Sequence, residues 1–243
     1  MDSIWDFIRA ASPWVAMGLL LAIFFGCVNH SWYRVWKEVK PMKYDLENHL
    51  PYALLAILAL AVFYGIYFAK MLAQKRCGIQ TRQIGRRKER SIHTVEVLMG
   101  IATLCAPAAQ LLSIVLGWSC LPTNVRFTGF LIAMVGDVIF LLSVLCMKDS
   151  WRAGIPEKDK TKLVTNGIYQ YSRNPAFLGF DLQYIGVFLL FGNPWTALCS
   201  AFAITMLHLQ ILQEERYLSR EFGAPYVEYK RRVFRYLGRR RQE

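Results

Sequence analysis

Six stretches of this chain are long and apolar enough to require a non-aqueous partner, and they limit its possible folds more than any other feature. They run at roughly 13–28, 50–69, 95–117, 127–147, 177–192 and 195–213. A helix needs about 20 apolar residues to cross a bilayer, and soluble cores interrupt such runs with polar faces. Hydrophobic residues make up 55% of the 243. The expected fold class is therefore all-α: a polytopic transmembrane helical bundle of about six spans. One integrated membrane domain is expected. Residues 1–94 hold the N-terminal helices and a basic loop, and 95–243 hold the functional core. The N-terminus sets Asp2 and Asp6 against Arg9, unlike the basic start of a cleaved signal peptide, so the first span should be retained.

Charge sets the orientation. The net charge of +12 sits in segments flanking the apolar runs, which fits cytoplasmic loops and argues against nucleic acid as a partner. Segment 70–94 has eight basic residues (Lys70, Lys75, Arg76, Arg82, Arg86, Arg87, Lys88, Arg90) against Glu89, and 118–125 has no charge. The tail from Arg216 has nine bases against three acids. Both termini, 70–94 and 148–176 are placed in the cytoplasm. Loop 29–49 then falls outside with Arg34, Lys37, Lys40 and Lys43, against the rule, so the first span is expected to be peripheral or re-entrant. Trp32, Tyr33, Trp36 and Trp118 are expected at the headgroup level.

Four of the six cysteines lie inside apolar runs and none forms a C-x-x-C pair, so no metal or redox site is expected. Two polar residues interrupt the early spans, Gln110 and Asp137. An acid near mid-membrane marks either a functional site or a hydrogen-bonded structural group between helices.

Chemistry concentrates between Leu163 and Arg235. Two polar clusters, Arg173-Asn174-Pro175 and Glu214-Glu215, are separated only by apolar sequence. A chain that enters the membrane and returns brings both to one side. Asn-Pro is also an ordinary helix start, and Asn193-Pro194 opens the next span in the same way. The second pair lacks the surrounding Gly167, Tyr169, Arg173 and Gly179, so capping leaves that setting unexplained. The sixth span should continue as helix through Glu214-Glu215 to Phe222 and stop at Gly223. Adjacent acids at that depth need a cation, a ligand or water; the plain alternative is a hydrated helix end paired with Arg216 and Arg220. A last helix from Pro225 carries Tyr226, Tyr229 and Val233 on one stripe, with Arg231, Arg232 and Arg235 around it. It is expected to lie on anionic lipid, with room for one arginine to turn inward.

The patterns L-V-T-x-G-x-Y, R-N-P-x-F-x-G, E-E, F-G-x-x-Y-x-x-Y and R-V, in this order, resemble the isoprenylcysteine carboxyl methyltransferase family. They are also similar to the phospholipid N-methyltransferases. The resemblance covers about the last 80 residues. It implies S-adenosylmethionine bound on the cytoplasmic side, with Leu163, Val164, Gly167, Tyr169, Arg173, Asn174, Pro175 and Phe177 lining its pocket and Glu214 or Glu215 closing it. Arg232, with Tyr229, would face the acceptor. The implied catalytic set is Arg173, Glu214, Glu215 and Arg232. The family often has His at position 174 and Tyr at 177. Asn cannot titrate near neutrality, which removes a general base there, and Phe177 can only stack.

Methyl transfer from a sulfonium needs close approach and exclusion of water more than acid–base groups. The acids suit the cofactor's positive charge, and Arg173 suits its carboxylate. Membrane lipids and a lipophilic small molecule or lipidated acceptor are the expected partners. The acceptor group is left open between a carboxylate, oriented by Arg232, and an amine, which needs a base. The rival enzyme is a membrane reductase of sterol-reductase type using NADPH, for which Lys158, Lys160 and Lys162 offer phosphate contacts. A third class is a transporter or scaffold centred on Asp137.

Overall fold

A computed structural model describes residues 46–81, 90–152, 154 and 162–239. The expected first span, its aromatic anchors and loop 29–45 lie outside the described residues.

Helices α1 (Leu46–Arg76), α2 (Arg90–Val115) and α3 (Thr123–Met147) come first. After two short 3₁₀ turns, Lys148–Ser150 and Gly167–Gln170, follow α4 (Pro175–Leu190), α5 (Pro194–Phe222) and α6 (Ala224–Arg232). Among the described residues the regular elements are all helical, apart from one isolated bridge between Val233 and Arg239. The fold is the expected all-helical membrane bundle. Four helices, α1, α2, α3 and α5, are long and apolar enough to cross a bilayer. The fifth expected span is shorter: α4 has 16 residues, about 24 Å at 1.5 Å each, against about 30 Å of hydrocarbon.

The bundle is inside-out by soluble standards. Leu54, Leu104, Leu112, Val115 and Leu145 face outward, while Ala56, Ala59, Ala102, Ala106 and Ala133 are fully enclosed. Lipid is as apolar as leucine, so small residues that let backbones approach hold such helices together. The closest approach is between α3 and α4. A Cβ added at Gly186 would meet the Ala133 nitrogen at 2.5 Å, and one at Gly136 the Gly179 carbonyl at 2.8 Å. Gly129 faces Gly186 and Gly136 faces Gly179, so the antiparallel pair meets glycine to glycine at both points. This seam holds α4, too short to span alone, against protein rather than lipid.

Below the seam Phe63, Phe140 and Phe180 pack with centroids 4.7 to 5.2 Å apart, with Tyr67 and Trp151 at their edge. At the other end of the bundle Arg126 donates to the Leu190 carbonyl at 2.8 Å and lies over the Tyr52 and Phe191 rings. Asp137 is buried on α3, and neither carboxylate oxygen has a hydrogen-bond partner among the described residues.

Asn193 builds a full capping box. Its side chain accepts from the Trp195 and Thr196 amides, and Thr196 Oγ1 accepts from the backbone N–H of Asn193. Its amide group also donates to Ser113 Oγ and the Trp118 carbonyl. Asn193→Ala is expected to cost about 1–2 kcal/mol, read as an earlier denaturation midpoint with ligand binding unchanged. α5 then runs uninterrupted for 29 residues, about 43 Å, and stops at Gly223. There φ is +58° and ψ −132°, a conformation closed to side-chain-bearing residues.

Candidate functional site

The helical hairpin does what the sequence order requires. The return from α4 to α5 brings Glu215 to Arg173, with Oε1 2.8 Å from the guanidinium. Glu215 is 3% exposed, and such a carboxylate must be met on every side. Arg235 forks onto both of its oxygens at 3.1 and 3.0 Å, Asn174 Nδ2 donates at 3.4 Å, and Lys230 lies at 3.9 Å. Arg216 and Arg220, the partners of the hydrated-end alternative, take no part.

Asn174 is therefore no cap. Its side chain makes no capping bond; the amide reaches Glu215 and the Arg235 carbonyl. The contrast with Asn193 separates two identical dipeptides by what their side chains hold. Asn174→Ala is expected to weaken ligand binding more than it lowers the unfolding midpoint, the reverse of Asn193→Ala, checked by running both assays on both variants.

The inward arginine is Arg235, three residues beyond Arg232. α6 ends at Arg232, a half-buried residue whose Nε lies 3.4 Å from Glu228, and Arg232 does not line the cavity. Past the helix the chain folds back, with Phe234 N bonded to the Gly238 carbonyl. It clasps the loop before α4: Arg173 N donates to Phe234 O, Gly238 N to Tyr171 O, and Ser172 Oγ to Arg235 O. Tyr236 closes the clasp, its hydroxyl 2.6 Å from His208 Nδ1. The bond to Glu215 raises the Arg235 pKa above its ordinary value, so the fork is permanently charged. Sequence reasoning missed Arg235 because an amphipathic helix was expected to continue through it.

Beside this cluster lies a cavity of about 320 Å³, at the lower end of the range for small-molecule sites. Leu163, Val164, Tyr169, Arg173, Asn174, Phe177, Glu214 and Tyr229 line it. Gly167, Pro175 and Glu215 do not; they shape the wall from behind. Gly167 has φ +58°, and a Cβ there would meet Cys146 Sγ at 2.5 Å, so the 3₁₀ turn that delivers Tyr169 needs glycine. Pro175 starts α4, and Tyr229 hangs from the same turn by its hydroxyl, 2.6 Å from the Tyr169 carbonyl. Sequence gave no sign of the remaining walls: Tyr64, Tyr67, Phe68 and Met71 of α1, and Met99, Gly100 and Thr103 of α2. In an apolar span such residues look like any others.

The adjacent acids divide the work. Successive helical residues point about 100° apart, so Glu215 turns to the cation cluster while Glu214 turns to the cavity, accepting from Gln210 Nε2 at 3.1 Å. Two further polar groups at the cavity are unspent. Arg173 Nε and the Tyr226 hydroxyl are buried with no partner among the described residues. Burial raises the Tyr226 pKa, which keeps the hydroxyl a neutral donor. A carboxylate, two idle donors and aromatic walls make a site for a molecule carrying both charges and a flat or cationic portion. Among the described residues no three His, Cys, Asp or Glu side chains gather as a metal site.

The fold and this site define a helical membrane protein with a cavity of charged and aromatic lining at one end of its bundle. Residues 125–225 match the family profile described as phospholipid methyltransferase. The chain is similar to protein-S-isoprenylcysteine O-methyltransferase B of Arabidopsis thaliana, 32% identical over 110 residues, 43% of this chain and 55% of that protein. A probable protein-S-isoprenylcysteine O-methyltransferase of Oryza sativa subsp. indica is 30% identical over 114 residues, 45% of this chain and 59% of that one. The Saccharomyces cerevisiae enzyme of that name is 40% identical over 72 residues, 29% of this chain and 30% of its own. The chain thus spans little more than half the length of the plant relatives, and its matched part is isoprenylcysteine-methyltransferase-like.

Proposed function

We propose that the chain is a membrane methyltransferase that uses S-adenosylmethionine and acts on a lipophilic acceptor at the cytoplasmic leaflet. One observation carries the reading: Glu214, Arg173 and Tyr226 line one aromatic-walled cavity, and Arg173 Nε and the Tyr226 hydroxyl are buried with no hydrogen-bond partner among the described residues. Bound there, S-adenosylmethionine supplies an electrophilic methyl group. Arg173 and Tyr226 offer donors to a carboxylate, Glu214 offers charge to a cation, and Tyr169 and Phe177 give flat walls. The apolar lining excludes water, which a displacement at carbon requires more than it requires a base.

A carboxylate acceptor fits better than an amine. It is nucleophilic when ionised, so Glu214 need not also serve as a base. Arg232, beside Glu228 and not among the cavity's lining, is poorly placed to orient it; Arg152 and Lys162 line the cavity directly. The acceptor's tail has a side entrance, because Phe68 and Leu104 border the cavity and are 58% and 68% exposed. That side faces lipid. Bases near the cavity end (Lys70, Lys75, Arg76) and the uncharged 118–125 segment at the other support a cytoplasmic pocket.

Protection from heat separates this reading from the reductase. S-adenosylhomocysteine is expected to raise the unfolding midpoint of purified protein while NADPH leaves it unchanged; protection by NADPH alone would reverse the assignment. Tyr226→Phe refines it. Removing an unpartnered buried hydroxyl should leave the ligand-free midpoint unchanged or higher, yet reduce the shift produced by S-adenosylhomocysteine. An unreduced shift would take Tyr226 out of the site.

A further inference from the structure

Outside Glu215, away from the cavity, a second hollow of about 320 Å³ lies between the end of α5 and the returning tail. Leu212, Arg216 and Arg220 border it from α5, Lys230 from α6 and Arg235 from the tail, and Glu215 forms its floor. Leu212, Arg216 and Arg220 fall four residues apart, on one stripe of the helix.

The charge here is unbalanced. Glu215 is already engaged by Arg173 and Arg235. Arg216 and Arg220 are exposed and take no ion pair among the described residues, and Lys230, at 3.9 Å from Glu215, keeps donors to spare. Four cations thus border the hollow against one satisfied carboxylate. The depth is informative as well. α5 exceeds the hydrocarbon thickness by about 13 Å, which sets Arg216 and Arg220 at headgroup level while Leu212, one turn below, meets acyl chain.

We propose that this groove binds the phosphate of an anionic phospholipid of the surrounding bilayer, held as a ligand and not as the methyl acceptor. Guanidinium forks match phosphate oxygens in pairs, and basic pockets on the cytoplasmic side of membrane helices hold lipid headgroups. Leu212 gives the first stretch of acyl chain an apolar rest, which a free phosphate ion has no use for. Arg235 and Lys230 border this groove and also hold Glu215, so an occupant touches the same cations that fix the wall of the cavity.

The test uses the full chain in neutral detergent, with dioctanoyl phosphatidylglycerol, dioctanoyl phosphatidylcholine and inorganic phosphate as probes, and bound lipid counted by native mass spectrometry. Phosphatidylglycerol is expected to bind saturably and well above the other two. The double variant Arg216→Gln/Arg220→Gln should bind it roughly thirty-fold more weakly, while Arg231→Gln on the outer face of α6 should bind like the parent. Parental affinity in the double variant, or equal binding of phosphatidylcholine, would overturn the proposal. Inorganic phosphate binding as tightly as the lipid would do so too, by making the groove a site for free anions. Because Arg216 and Arg220 border the groove and do not line the methyl-donor cavity, failure here leaves the proposed function standing.

Discussion

Glu215→Ala is expected to destabilise the pocket end of the bundle by about 3–5 kcal/mol, the usual consequence of removing one partner from a buried ion cluster. Arg173, Arg235 and Lys230 would face one another with no counter-charge, and Asn174 would lose an acceptor. The clasp made by residues 233–239 is fastened to α5 chiefly through this carboxylate, so the loop before α4 should loosen with it. Unfolding in detergent should show a clearly lowered midpoint and a protease-sensitive tail. Glu214→Gln should behave differently. Among the described residues its side chain accepts one hydrogen bond, from Gln210, which a glutamine oxygen can also accept, so stability should stay within about 1 kcal/mol. Affinity for S-adenosylhomocysteine should still fall about ten- to a hundred-fold, the range for losing a charge-assisted contact. An unstable Glu214→Gln beside a stable, non-binding Glu215→Ala would exchange the two roles.

The glycine seam carries the second large effect. In Gly186→Ala the new methyl would meet the Ala133 nitrogen and the Gly129 carbonyl at 2.5 and 2.6 Å. These are backbone atoms of a facing helix and cannot rotate away, so α3 and α4 must part. A cost of about 3 kcal/mol, the upper part of the overpacking range, is expected. The site should suffer too, because the parting shifts α4, whose first residues follow directly on Arg173 and Asn174. Gly129→Ala should cost a similar amount alone but little more on top of Gly186→Ala, since helices already apart have room for a second methyl. Full additivity in urea or thermal unfolding would mean that the two glycines do not share one contact.

What the sequence disclosed depended on local order. Apolar run length gave the membrane bundle, and the position of two polar clusters around a helical hairpin gave the meeting of Arg173 with the acids. Gly223 marked the end of α5 because only glycine accepts that backbone turn. The rest depended on rotation and packing, which local order does not encode. Glu214 and Glu215 are neighbours in sequence, yet about 100° of helical rotation sends one to the cavity and the other to the cation cluster. Arg232 and Arg235 look equivalent until α6 ends between them and the tail reverses. Gly129, Gly136 and Gly186 are ordinary small residues inside apolar runs until a facing backbone is placed against them. The length of α4 was legible, since the run 177–192 has the same 16 residues as the helix; its close seat on α3 was not.

The most direct measurement is a calorimetric titration of the purified chain with S-adenosylhomocysteine, repeated on Thr103→Trp. Thr103 lines the cavity from α2, and among the described residues its hydroxyl bonds within its own helix, to the Met99 and Gly100 carbonyls. An indole there fills the hollow without touching the charges of Arg173 or Glu214. The expected result is one-to-one binding by the parent and none by a Thr103→Trp protein that unfolds at the parental midpoint. Undiminished binding by that variant, or no binding by the parent, would contradict the placement of the methyl donor in this cavity.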